Sequence, residues 1–115
     1  MTTADVAECS VGDLYSAWKG DEYILDVREP DEYAEGHVPS AVLIPLGELA
    51  ARVGEVPRDR PVYVVCRSGR RSLTGVRTLA ASGIEATSVS GGTLGWIAAG
   101  YPVSGRPHLA GTTRR

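Results

Sequence analysis

The residues best suited to chemistry lie in one run, Cys66-Arg67-Ser68-Gly69-Arg70-Arg71-Ser72, directly after the apolar segment 62–65. A cysteine that leaves a buried strand and enters a short glycine-bearing loop ahead of a helix can have several backbone N–H groups and a helix dipole aimed at its sulfur. Both favour the thiolate. Arg67, Arg70 and Arg71 add positive charge, so the thiolate is expected to be well populated at neutral pH and to meet an anionic substrate. This is the setting of a nucleophile. The alternative is an inert structural cysteine packed as a small hydrophobe, and three arginines and a glycine within five residues count against it. Cys9 has no such surroundings and reads as structural.

Two further polar clusters follow apolar runs: Asp26-Val27-Arg28 after the segment 23–26, and Ser90-Gly91-Gly92 after 86–90. In open parallel sheets, ligands bind beyond the carboxyl ends of the strands, where loops and helix amino termini converge. All three clusters should therefore share one rim. Asp26 and Arg28 stand on that rim, where they could orient the cysteine loop or assist a substrate, or could be purely structural.

The elements that would hold this rim are well punctuated. Ser10 with Asp13 makes a capping-box-like start, Val11, Leu14, Tyr15 and Trp18 recur at helical spacing, and Gly20 is a stop. Pro30, Asp31 and Glu32 open a short helix that ends at Gly36. Leu46, Leu49, Ala50 and Val53 predict a helix closed by Gly54; Leu73, Val76, Leu79 and Ala80 predict a longer one from near Ser72 to Gly83. Leu94, Ile97 and Ala98 predict a last one before Gly100. Short apolar runs at 23–26, 42–44, 62–65 and 86–90, with a weaker one at 6–9, alternate with these helices. Strands apolar on both faces and separated by helices predict an α/β fold, a parallel sheet covered on both sides. Residues 104–115 lack apolar periodicity and are expected to form a mobile tail beyond a single domain at 1–103.

Composition excludes several classes. At 115 residues, 43% apolar and 23% charged, the chain has room for one globular core and resembles neither a disordered nor a disulfide-stapled protein. The formal charge of −2 offers no global positive field for nucleic acid or an anionic membrane. The longest apolar stretch, about 41–46, contains Pro45 and is far short of the ~18 residues of a spanning helix. The amino end shows no secretory signal, so a cytoplasmic location is expected. Two cysteines with only His37 and His108 give poor support for a metal site. Charge is nonetheless segregated: ten of the 14 acids lie in residues 1–35, while 58–77 holds six arginines against the single acid Asp59.

Four features in order resemble the rhodanese family of sulfurtransferases. They are Leu25-Asp26-Val27-Arg28 with Glu32 and Tyr33; Gly36-His37-Val38-Pro39-Ser40-Ala41; the Cys66–Ser72 loop; and Gly91-Gly92 with Trp96, Gly100, Tyr101 and Pro102. The resemblance runs from about Val6 to Val103. It implies a five-stranded parallel sheet with helices on both faces, no cofactor, and a Cys66 that accepts a sulfane sulfur as a persulfide and passes it on. The donor would be a small anion such as thiosulfate, or a protein persulfide; the acceptor would be cyanide in vitro, or a thiol or protein. By the same resemblance, loop N–H groups from Arg67 to Ser72, Ser68 among them, cradle the sulfur, and Gly69 lets the loop turn inward. Arg67 and Arg70 then bind the sulfonate end of the donor and Arg71 lies nearer the helix start. His37 resembles a motif histidine that ties a loop together, and Trp96 and Tyr101 are expected in the core. Arg67 directly after Cys66 favours thiosulfate over 3-mercaptopyruvate.

Two rival functions are weighed. Cysteine phosphatases and arsenate reductases place five residues between cysteine and arginine, whereas here that position is Ser72 and Arg71 comes one place early. An inactive rhodanese-like interaction module would typically have lost the cysteine or the basic loop, and both are present.

Overall fold

The computed structural model describes residues 6–105. Eleven short elements follow one another: β1 (Glu8–Cys9), α1 (Val11–Lys19), β2 (Tyr23–Asp26), α2 (Pro30–Ala34), β3 (Val42–Leu43), α3 (Leu46–Leu49), a 3-10 turn (Val53–Glu55), β4 (Val62–Val65), α4 (Arg71–Ala81), β5 (Thr87–Val89) and α5 (Gly92–Ala98). The five strands form one wholly parallel sheet in the order β1-β5-β4-β2-β3. β4 lies at its centre, between β2 and β5, with Leu25 opposite Val64 and Ser88 on the other side of Val64.

Two apolar layers cover the sheet, and alternation along the strands divides residues between them. Leu25, Val62 and Val64 face Leu49, Val76, Leu79 and Ile84 beneath the mutually packed α3 and α4. Ile24, Val65 and Val89 face Leu14 and Trp96 beneath α1 and α5. Gly75 keeps α4 close to the sheet: a Cβ there would stand 3.2 Å from a Val64 methyl. The predicted α/β class and two-faced coverage are what the chain adopts.

Two local expectations need correction. The helix expected from Leu46 to Gly54 is a single turn, α3, followed by a separate 3-10 turn at Val53–Glu55; only Leu49 is buried in α3, so burial supports no longer helix. α4 runs from Arg71 to Ala81, in keeping with the expected start near Ser72 and stop at Gly83. In α5, Leu94 and Ile97 are 45% and 46% exposed, and the buried face is Gly92, Thr93 and Trp96. The apolar residues that marked this helix are on its outer side.

At the carboxyl side, Ser104 exchanges two backbone hydrogen bonds of 2.9 Å with His37, so the segment expected to be mobile begins with a paired residue. Residues 106–115 of that segment, and residues 1–5, lie outside the described residues.

Candidate active site

Cys66 follows the last residue of central strand β4 and is 1% exposed. Its sulfur accepts the Gly69 N–H at 3.1 Å and lies 3.5 Å from Ser72 Oγ. Burial pushes the thiol pKa up, but the Ser72 hydroxyl and the backbone N–H groups of Ser72, Gly69 and Ser68 more than offset it, and the net shift is downward. Cys9 is the reverse case. Its partial burial and the nearby Asp13 carboxylate push its thiol up to about 11.

The loop takes this shape because two glycines permit it. Gly69 has φ +106°, and a Cβ there would stand 3.1 Å from the Gly91 nitrogen. Gly92, at φ +58°, allows the closest approach in the site: a Cβ would fall 2.5 Å from the Cys66 carbonyl oxygen and 2.6 Å from that of Arg67. Into that gap the first turn of α5 sends two donors, Thr93 N–H to the Cys66 carbonyl at 2.8 Å and Leu94 N–H to the Arg67 carbonyl at 3.0 Å. The Gly91-Gly92 turn thus clamps the start of the cysteine loop.

The three arginines divide. Arg71 is committed, with both terminal nitrogens 2.9 Å from the Glu32 carboxylate oxygens. The same Glu32 caps α2 by accepting the Glu29 N–H at 2.9 Å. Pairing with Arg71 holds the Glu32 carboxyl down at about 2. Arg67 and Arg70 are exposed and make no side-chain ion pair among the described residues, which leaves two unneutralised guanidinium groups on the loop around the thiol. Ser68 is exposed and turns its N–H toward the sulfur.

Asp26 and Arg28 come to the same rim as a buried, fork-like pair. Arg28 Nε and one terminal nitrogen donate to the carboxylate at 3.0 and 2.9 Å, the Arg28 N–H adds a bond of 3.0 Å, and the guanidinium also donates to the Gly36 carbonyl at 2.9 Å. That geometry ties the end of β2 to the segment before β3. His37 is turned away to its own loop: its ring stacks on Tyr33 at 3.6 Å between centroids, and Nδ1 lies 2.7 Å from the Tyr33 carbonyl oxygen. Trp96 is fully buried and Tyr101 packs on it edge-on.

Two features were not anticipated. In the sequence Glu32 reads as a helix-terminus acid and as a motif residue beside Tyr33, neither of which points to its pairing with Arg71 across 39 positions. Ser88 is fully buried in β5 with its Oγ 2.7 Å from Ser72 Oγ; the available signal is a serine at the centre of the strand predicted over 86–90. Among the described residues, no group of three histidine, cysteine or carboxylate side chains could hold a metal, and no helix is long and apolar enough to cross a membrane.

Comparison with known proteins agrees with this architecture. The family model described as "Rhodanese-like domain" matches residues 10–99. A Bacillus subtilis (strain 168) protein named "Putative sulfurtransferase YtwF" is 34% identical over 94 residues, covering 80% of this chain and 91% of its own. An Allochromatium vinosum protein named "Sulfurtransferase" is 34% identical over 84 residues, covering 72% and 78%. The crystal structure of a rhodanese-related protein from Thermoplasma volcanium superposes with a TM-score of 0.80 at 36% identity, over 85% of this chain and 97% of that one. With the family model spanning the chain from the N-cap of α1 past the end of α5, and a cysteine loop clamped between β4 and α5 at its centre, this chain belongs to the rhodanese-like domain family.

Proposed function

We propose that the protein is a sulfurtransferase that carries sulfane sulfur as a persulfide on Cys66. Relatives named as sulfurtransferases support sulfur transfer in general. The observation that carries the finer reading is the convergence of Ser68, Gly69 and Ser72 N–H groups on a Cys66 sulfur whose loop bears two unpaired arginines. In the first half-reaction the Cys66 thiolate attacks the outer sulfur of thiosulfate; the bond between the two donor sulfurs breaks, and sulfite leaves with the electron pair. The new terminal sulfur carries the negative charge, which the loop N–H groups are directed to stabilise. In the second, a nucleophile such as cyanide or a thiolate bonds to that sulfur, and Cys66 departs as thiolate.

Thiosulfate is favoured because Arg67 and Arg70 can meet its sulfonate, whereas Asp26 and Arg28 act as a brace. The thiol's near-complete burial suits a donor that presents a single protruding atom. Hydrolysis of phosphate esters is disfavoured: the side chain six positions after Cys66 is Ser72, and Arg71 is held by Glu32. Incubation with thiosulfate should add one sulfur to the peptide containing Cys66, removable by cyanide or dithiothreitol. Aryl phosphate should not be turned over. Vigorous phosphatase activity with no persulfide on Cys66 would overturn the reading, and preference for 3-mercaptopyruvate would overturn only the choice of donor.

A further inference from the structure

Behind the cysteine loop lies a short hydroxyl chain that sulfur binding itself does not account for. Cys66 Sγ is 3.5 Å from Ser72 Oγ, and Ser72 Oγ is 2.7 Å from Ser88 Oγ. Both serines are fully buried. Ser72 sits in the first turn of α4, and Ser88 in β5, paired across to Val64 two residues before the cysteine. The chain thus crosses from helix to sheet.

Proton counting gives this chain a direction. Each hydroxyl has one proton to donate. Among the described residues, Ser72 Oγ is the one hydrogen-bonding partner of Ser88 Oγ. If Ser72 donated to Ser88, the Ser88 proton would be left buried without an acceptor, and the sulfur would have to supply the proton for Ser72. If Ser88 donates to Ser72, the Ser72 proton is free to point at the sulfur, and a thiolate, which can only accept, completes the chain. The second arrangement satisfies every buried group; the first leaves one unsatisfied.

We propose that Ser88 is a positioning residue, whose hydroxyl donates to Ser72 Oγ and thereby turns the Ser72 proton onto the Cys66 sulfur. The inference rests on Cys66 being the reactive sulfur. Donation from Ser88 also polarises the Ser72 hydroxyl and strengthens its bond to the anion. The charged groups that face the sulfur are separate from this chain: Arg71, paired with Glu32 from α2, and Asp26 of β2; Arg67 and Arg70 belong to the loop itself. β5 and α5 contribute no charged side chain.

The test is the pH dependence of Cys66 alkylation, with Cys9→Ser as the background so that one thiol is followed. Ser88→Ala should move the apparent pKa of Cys66 up by roughly half a unit, a ~3-fold loss of thiolate below both values. Ser88→Thr, which keeps the hydroxyl, should restore it. Because Ser88 acts through Ser72, the Ser88→Ala shift should vanish in a Ser72→Ala background. A shift that persists there, an unchanged pKa, or a downward one overturns the proposal. Should Ser88→Thr pack poorly, the Ser72→Ala comparison decides alone. Alkylation needs no sulfur donor, so a Cys66 that titrates as described but never carries sulfur would sink the proposed function and leave this inference standing.

Discussion

At the residue scale, the decisive quantity is how far the fold shifts one thiol relative to the other. Cys66 and Cys9 share a side chain and differ in surroundings: one has N–H and O–H donors converging on it, the other has burial and a carboxylate. Alkylation against pH should therefore show Cys66 titrating below the free-thiol value of ~8.5 and Cys9 well above it. An apparent Cys66 pKa at or above the free value would remove the anion cradle. Sulfur transfer should be abolished by Cys66→Ser and largely kept by Cys9→Ser, measured as thiocyanate formed from thiosulfate and cyanide. Cys66 is legible as the candidate nucleophile because its signal is local: cysteine, glycine and arginines within seven residues. The division among the arginines is not, since a partner 39 positions away decides the orientation of Arg71.

At the scale of elements, the site depends on two junctions. The first is α5 against the cysteine loop, where Gly92→Ala would force a Cβ to within 2.5 Å of a backbone oxygen at a positive φ. Neither neighbour is a side chain that can swing aside, so the loop or the helix must move, at a cost of about 3 kcal/mol. Chemical denaturation should report that loss together with loss of sulfur transfer; full stability and activity would contradict the clamp. The second junction is Glu32 with Arg71, joining α2 to α4. Glu32 has a folded pKa near 2, below its ordinary value, so its contribution to stability is present above the normal carboxylate range and fades as pH falls toward 2. Glu32→Gln should flatten that part of the stability profile, and an unchanged profile would show the pair to be inconsequential. The strands and most helices were legible from caps and apolar spacing. The exposed side of α5 was not, because Leu94 and Ile97 follow the helical period while small Gly92 and Thr93, with Trp96, provide the buried face. Burial by small residues leaves no apolar stripe to read.

At the scale of the whole molecule, the net charge of −2 and the positive loop act on different lengths. Ten of the 14 acids lie in the first 35 residues, and Glu32 among them neutralises Arg71, so the field that a distant anion meets is weak. On the proposed function, capture of an anionic donor would fall to Arg67 and Arg70 at short range, where exposure limits each to a modest gain. Replacing either by Gln should raise KM for thiosulfate roughly two- to fivefold with a smaller change in kcat. Because exposed charges are screened over ~8 Å at physiological ionic strength, added salt should raise the wild-type KM in the same way. In Arg67→Gln/Arg70→Gln that salt dependence should largely disappear, since the charges responsible are gone. If the double variant keeps the wild-type slope of KM against ionic strength, donor recognition lies elsewhere, and Arg71, released from Glu32 on binding, becomes the group to test.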